Sequence, residues 1–344
     1  MYQFNQHITS FSRLLSNVQV HTISTDAYAQ QYLKDLLLHK THYLHLYAMV
    51  LDKAFVDNIN QPLTSSLLDF GCGNGLLALF AKYCGVQQVF ASDVSASFLL
   101  AAQQLSKQLN IDLDGWIVGD ENTVAKYFTN KKIDIVVGTD VIEHVYNLSS
   151  LFTVLQNLNT NLVTVFTTAS IAENPFKSAS LKALQKKDEL VESNAFHTSY
   201  NNEFAGMSFL AIRKKIIETY LPSLPQNIIS ELAIRTRGLQ KLDIEKAVDN
   251  YVKTNQLPIT MQHATNTCDP ITGSFTERLL TIKEYQQLYL QNNFKLAIYY
   301  GFYNQFEGGI KSKVAQFFNF AIKLSRNQAK LISPFMVLVG RKSK

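Results

Sequence analysis

Leu67-Leu68-Asp69-Phe70-Gly71-Cys72-Gly73-Asn74-Gly75 is the stretch whose reading decides the fold. An apolar run holding a single acid leads into three alternate glycines. Leu76–Tyr83 follows, with Leu76, Leu79, Phe80 and Tyr83 on one helical face. The pattern reads as a buried strand, a tight turn and a helix. The glycines allow the turn and let a ligand approach the backbone closely. A dinucleotide loop, G-x-G-x-x-G/A, needs a small residue three after its second glycine, and Leu76 stands there instead. Asp69 lies two residues before the first glycine. An acid in that place repels a pyrophosphate and suits a cationic amine.

Downstream, strand and helix signals alternate. Gln88–Ser92 reads as a second strand, closing on Asp93, and Phe98, Ala102, Leu105 and Leu109 recur at helical spacing. Trp116–Val118 reads as a third strand before Asp120, Ile133–Val137 as a fourth, Val145–Leu158 as a helix and Leu162–Phe166 as a fifth strand. This alternation predicts an α/β fold, a parallel sheet with helices on both faces. Asp93, at the carboxyl edge of its strand, can accept both hydroxyls of a ribose. Asp120 can accept from an adenine amino group, with Trp116–Val118 as apolar walls. An amine, a ribose and an adenine in strand order describe S-adenosylmethionine.

The D-F-G-C-G-N-G loop, Asp93, Asp120 and the run from Ile133 to Val145 resemble the class I S-adenosylmethionine-dependent methyltransferases. The resemblance covers about 60–170 and resumes at about 280–341. It implies a Rossmann-like seven-stranded sheet whose last strand is antiparallel and inserted beside the sixth. It implies S-adenosylmethionine as cofactor. The contacts it assigns are Asp69, Gly71, Cys72, Gly73, Asn74 and Gly75 in the loop, Asp93 and Val94 after the second strand, Gly119, Asp120 and Glu121 after the third, and Thr139. Residues 1–60 are expected as an N-terminal helical region, 61–170 as the cofactor-binding core, 171–280 as a mostly helical cap over the substrate, and 281–344 as the rest of the core. Within the last part, Ile282–Gln291 reads as a helix, Phe294–Tyr300 as a strand and residues 334–340 as the final strand, with Arg341, Lys342 and Lys344 as a solvated terminus.

Asp140, Glu143 and His144 follow the fourth strand. If they open a helix, positions i, i+3 and i+4 share a face and the three converge. His144 then reads as a general base, since an ordinary imidazole titrates near neutrality. Alternatively the three hold Mg²⁺ or Mn²⁺, for which oxygen-rich sites with an imidazole are suited. The cluster is similar to the E-x-x-E-H of ubiquinone-pathway O-methyltransferases and small-RNA 2′-O-methyltransferases, with Asp140 as a shorter arm. That resemblance implies a later histidine, for which His197 is the candidate. A third reading has Glu143 and His144 only capping and orienting the helix.

The polar loop His263–Arg278, with Gly301–Asn304 further on, resembles methyltransferases of bacterial surface-polysaccharide pathways. That implies a sugar or glycan-precursor hydroxyl as acceptor, although the loop also reads as an ordinary surface turn. The other classes are an RNA 2′-O-methyltransferase and a non-catalytic S-adenosylmethionine-binding module.

Composition bounds the rest. A net charge of +5 over 344 residues is too small to imply a nucleic-acid partner. Eight basic residues and no acid fall in 311–344, so the remainder carries −3. Residues 311–330 read as an amphipathic helix covering the sheet with a cationic outer face, or as a contact for an anionic membrane surface or phosphorylated precursor. Cys72, Cys84 and Cys268 are too scattered for a disulfide framework or zinc site and fit a reducing compartment. The N-terminal stretch does not read as a signal peptide and no apolar run is long enough to span a bilayer, so a cytoplasmic location is expected.

Overall fold

The computed structural model describes residues 3–23, 26–56, 61–192, 203–260, 263 and 265–342. The strands are β1 (Ser66–Phe70), β2 (Gln88–Asp93), β3 (Gly115–Val118), β4 (Ile135–Thr139), β5 (Val163–Thr168), β6 (Phe294–Tyr300) and β7 (Met336–Lys342). The helices are α1 (Ile8–Leu15), α2 (Ala27–Leu38), α3 (Lys40–Ala54), α4 (Leu76–Tyr83), α5 (Ala96–Leu109), α6 (Glu121–Tyr127), α7 (Leu148–Leu158), α8 (Pro175–Leu190), α9 (Phe209–Tyr220), α10 (Gln226–Arg235), α11 (Lys241–Thr254), α12 (Ile282–Gln291) and α13 (Gly309–Ser325). They form two compact units. The first holds 1–142, 147–169 and 282–344; the second holds 143–146 and 170–281.

The first unit is built on one seven-stranded sheet of order β3-β2-β1-β4-β5-β7-β6. The strands from β3 to β5 are mutually parallel, and β7 runs antiparallel between β5 and β6. This is the Rossmann-like methyltransferase sheet. Apolar runs give it a two-sided core: every residue of β1 is buried, as are Ile135–Gly138 of β4. α3 lies against β4, β5 and β7, so the N-terminal helices are part of this unit.

Several boundaries differ from the sequence reading for local reasons. β4 begins at Ile135 because Asp134 serves as a tie. Its Oδ2 accepts the backbone N–H of Ser66 at 3.0 Å, and its Oδ1 accepts from Asn159 Nδ2 at 3.1 Å. α7 begins at Leu148, where the Asn147 side chain accepts the Ser150 N–H at 3.0 Å. α6 and α10 have only weak patterns in the sequence; α6 is nucleated by its Asp120 cap and α10 follows Pro225. β7 runs on to Lys342, so Arg341 and Lys342 are not a solvated terminus. Arg341 Nη2 donates to the Lys53 carbonyl at 3.2 Å, and Lys342 bonds the Gln156 carbonyl.

The second unit is helical. α9, α10 and α11 bury Phe209, Ile212, Ile216, Ile229, Leu232 and Ile244 together. Among these apolar side chains Arg213 is fully buried. It pairs with Glu189 of α8 and donates Nε to the Ala233 carbonyl at 2.8 Å. Thr267 Oγ1 donates to Glu189 at 2.7 Å, so the same carboxylate anchors the 263–278 segment.

Candidate active site

In the first unit, Asp69, Asp93 and Thr139 all stand at the carboxyl ends of parallel strands. In a doubly wound sheet that edge is where ligands bind. The turn after β1 is dictated by its glycines. Gly71 and Gly75 have φ of +69° and +72°, where a side chain is strained. A Cβ on Gly71 would collide with Val141, and one on Gly75 would lie 2.8 Å from the Ala102 Cβ. At its glycine positions the loop is therefore bare backbone. Gly73 N–H donates to Asp93 Oδ2 at 2.8 Å, and Ser95 N–H donates to Asp93 Oδ1 at 2.8 Å. Asp93 thus staples β2 to the loop, and one lone-pair site remains on each oxygen for a hydroxyl. Burial raises its carboxyl above the ordinary range, against these two N–H bonds.

Asp69 is fully buried, and its Oδ2 accepts the Ala78 N–H of α4 at 3.1 Å. Its Oδ1 has no hydrogen-bond partner among the described residues. Burial pushes its carboxyl up to about 7; the Ala78 N–H opposes this and nearby Asp93 adds to it. A buried carboxylate with an unused oxygen beside a bare loop fits the cationic amine of S-adenosylmethionine.

The remaining expected contacts divide. Asn74 is buried and its Nδ2 donates to the Ala29 carbonyl of α2 at 3.1 Å, tying the loop to the N-terminal helices. Cys72 N–H donates to the Ser92 carbonyl at 2.9 Å, and Gly119 N–H to the Asp93 carbonyl at 2.9 Å. Asp120 is exposed and caps α6: Oδ1 accepts the N–H groups of Asn122 and Thr123 at 3.1 and 3.0 Å. Burial is the largest single influence and works against it, but those bonds and the side chains of Asn122 and Thr123 together hold its carboxyl below the ordinary range. Glu121 is the first residue of α6, and Val94 is exposed after β2. The sequence reading missed Tyr32 of α2, whose ring would touch a Cβ on Gly73 at 3.4 Å and packs edge-on against Phe98 at 5.4 Å. No motif marks it; the only signal is the Tyr28–Tyr32 pair at helical spacing.

The helix on which Asp140, Glu143 and His144 would converge is absent. Residues 140–144 form no helix: Asp140 has φ of +50° and residues 142–144 are a turn. Without a helix the i, i+3, i+4 alignment does not arise. Among the described residues no three His, Cys, Asp or Glu side chains are grouped to hold a metal. His197 lies outside the described residues.

In the second unit, Glu143–Tyr146 instead run beside 275–278. Phe275 N–H donates to the His144 carbonyl at 3.1 Å, and Arg278 N–H to the Glu143 carbonyl at 3.2 Å. The Arg278 guanidinium bonds the Val145 carbonyl and lies over the Phe275 ring at 4.1 Å. His144 Nδ1 donates to the Phe275 carbonyl at 2.7 Å, and its Nε2 is 4.0 Å from Glu277 Oε1. Glu277 is held by Ser170, whose hydroxyl donates to Oε2 at 2.6 Å. The 263–278 loop is not an ordinary surface turn. Asn266, Thr267 and Cys268 are buried, and Thr276 Oγ1 donates to Asp188 at 2.8 Å. The side chains of Asn266, Thr267 and Thr276 hold α8.

Fold and loop together have the form expected of an S-adenosylmethionine-dependent methyltransferase domain. Residues 39–204 match the family described as "Methyltransferase domain". The ribosomal protein L11 methyltransferase of Hydrogenovibrio crunogenus is 26% identical over 104 residues, 30% of this chain and 33% of that protein. The one from Acinetobacter baumannii (strain AYE) is 32% identical over 71 residues, 21% of this chain and 23% of that protein. The chain spans a third or less of the length of these curated relatives. Among solved structures, magnesium protoporphyrin IX methyltransferase from Synechocystis with bound SAH is similar at a TM-score of 0.43 and 13% identity, covering 99% of this chain and 96% of that one. Among the described residues no helix is long and apolar enough to cross a membrane.

Proposed function

We propose that the protein transfers a methyl group from S-adenosylmethionine to a hydroxyl of a small polar acceptor, a sugar or glycan precursor. The observation that supports this most is the buried Asp69 carboxylate, with one oxygen unused, beside a glycine-rich loop. When bound, the cofactor supplies an electrophilic sulfonium methyl. The chain then has two tasks, to position the acceptor and to take one proton.

His144 is the residue proposed for the proton. A carbonyl only accepts, so the bond to Phe275 requires the hydrogen on Nδ1. The neutral ring therefore carries its lone pair on Nε2 and can act as a base there. The Glu277 carboxylate, 4.0 Å from Nε2, stabilises the imidazolium formed on proton uptake. The sugar class of acceptor rests on the resemblance of the 263–304 region to polysaccharide-pathway methyltransferases.

The test is incubation with methyl-labelled S-adenosylmethionine and panels of sugar nucleotides, free glycans, amines and ribosomal protein L11. Label on a sugar hydroxyl is the expected result. Label on an amine or on protein overturns the hydroxyl reading, and no S-adenosylhomocysteine with any panel favours a module that only binds the cofactor.

A further inference from the structure

α13 is amphipathic with its apolar face turned outward. Ile310, Val314, Phe317 and Leu324 follow one helical stripe, flanked by Phe320. Ile310 is 82% exposed, Phe317 67%, Phe320 65% and Leu324 73%. The inward face is Ser312, Ala315, Asn319 and Ile322. The expected cationic outer face is thus replaced by an apolar one with basic flanks.

This orientation is fixed by polar bonds on the inner side. Tyr303 N–H donates to Asn319 Oδ1 at 2.7 Å, Asn319 Nδ2 donates to the Tyr303 carbonyl at 3.0 Å, and Ser312 Oγ bonds the Gln305 carbonyl. Rotating the helix to hide its phenylalanines would break all three. Lys311, Lys313 and Lys323 lie on the helix, and Arg326 and Lys330 on the turn that follows. Among the described residues none of the five is in an ion pair, and no acid occurs after Glu307.

We propose that α13 docks the protein on an anionic lipid surface, with Ile310, Phe317, Phe320 and Leu324 entering the interface and the flanking lysines meeting lipid phosphates. An outward apolar stripe edged by cations is the pattern of helices that lie in a membrane interface. Two alternatives fit less well. A symmetric contact with a second copy would set these lysines against their own equivalents. A nucleic-acid backbone would use the lysines but leave the phenylalanines in water. β6 runs parallel to β5, so the chain leaves the sheet for α13 at the edge that carries Asp69 and Asp93.

The test is co-sedimentation of the full chain with pure phosphatidylcholine vesicles and with mixed phosphatidylglycerol–phosphatidylcholine vesicles. Binding to the mixed vesicles, weakened by salt, is expected. The double variant Phe317→Asp/Phe320→Asp should lose at least about tenfold in affinity, since each ring buries substantial apolar area. Lys311→Gln and Lys313→Gln should each lose roughly fivefold. Melting temperature and S-adenosylhomocysteine binding should match the unsubstituted protein, because these side chains point away from the fold. Equal or absent binding to both vesicle types overturns the proposal, as does a double variant that binds like the original. A dimer in sedimentation equilibrium that the double variant dissolves assigns the face to a second copy instead. The readout is binding without turnover, so it succeeds or fails independently of the methyl-transfer reading.

Discussion

The Nδ1–H of His144 is committed to the carbonyl of Phe275 at 2.7 Å, across 131 positions of sequence. One bond fixes both ring orientation and tautomer. His144→Ala should therefore lower kcat by roughly 10²–10⁴, the usual contribution of a positioned base. Affinity for S-adenosylhomocysteine, measured by calorimetry, should stay unchanged. Glu277→Gln should give a smaller loss in kcat, because it removes only the charge facing the imidazolium. Full activity in His144→Ala would end its assignment.

Asp69 ties cofactor binding to pH. Its carboxyl sits at about 7, far above the ordinary value of 3.8, mainly through burial. The anion is the form that attracts an amine, so affinity for S-adenosylmethionine should fall as pH drops below about 7. For the ligand-free protein the sign is opposite. The folded state holds this proton more tightly than the unfolded chain, so the stability contribution is full below about pH 4 and is lost as pH rises towards about 7. Asp69→Asn should thus raise the melting temperature of the ligand-free protein at pH 8 while abolishing cofactor binding. A variant that melts lower at pH 8 and still binds would contradict this account.

Legibility followed sequence distance. The β1 loop, Asp93 and helix α4 could be read because strand, turn and helix signals there are local, and α4 and α12 fall on the expected residues. The His144 environment could not, because 143–144 pair with 275–278 instead of opening the helix on which the three side chains could converge. The sequence suggests Asp120 as a ligand acceptor, yet the same side chain at the same place is also what a helix N-terminus requires. Arg213 was invisible because a basic residue in an amphipathic helix is normally solvated, and only the distant Glu189 explains its burial. The outward face of α13 was misjudged for a related reason. Periodicity gives the width of an apolar stripe, not the side on which it lies.

Gly71 offers a separable test of the loop. An alanine there meets two obstacles, a positive φ and the Val141 side chain. The first costs ~1–2 kcal/mol for an L-residue, and the collision adds ~1–3 kcal/mol of overpacking. Gly71→Ala should therefore destabilise by ~2 kcal/mol or more. Gly71→Ala/Val141→Ala should recover part of that loss, leaving the backbone share. Urea unfolding of both variants measures the split, and equal stability of the two would remove the steric argument.

The Glu189–Arg213 pair governs the second unit. Both side chains are buried, and Glu189 also receives Thr267 Oγ1. Removing one partner of a buried pair costs ~3–5 kcal/mol where the other charge is left alone, and replacing both by apolar groups of similar volume is often near neutral; here Arg237 Nε stands 3.9 Å from Glu189 and keeps part of the compensation. Arg213→Met should accordingly unfold the second unit at much lower denaturant. Glu189→Leu/Arg213→Met should regain most of the stability. The donors freed from the carboxylate, Thr267 Oγ1 foremost, set the part not regained. Glu189 anchors the segment from which Phe275 reaches His144, and only the double variant lacks it, so the double variant should recover stability further than turnover. Amide hydrogen exchange across 205–255, read beside kcat, distinguishes this from simple unfolding: protection restored with turnover still depressed is the expected pattern.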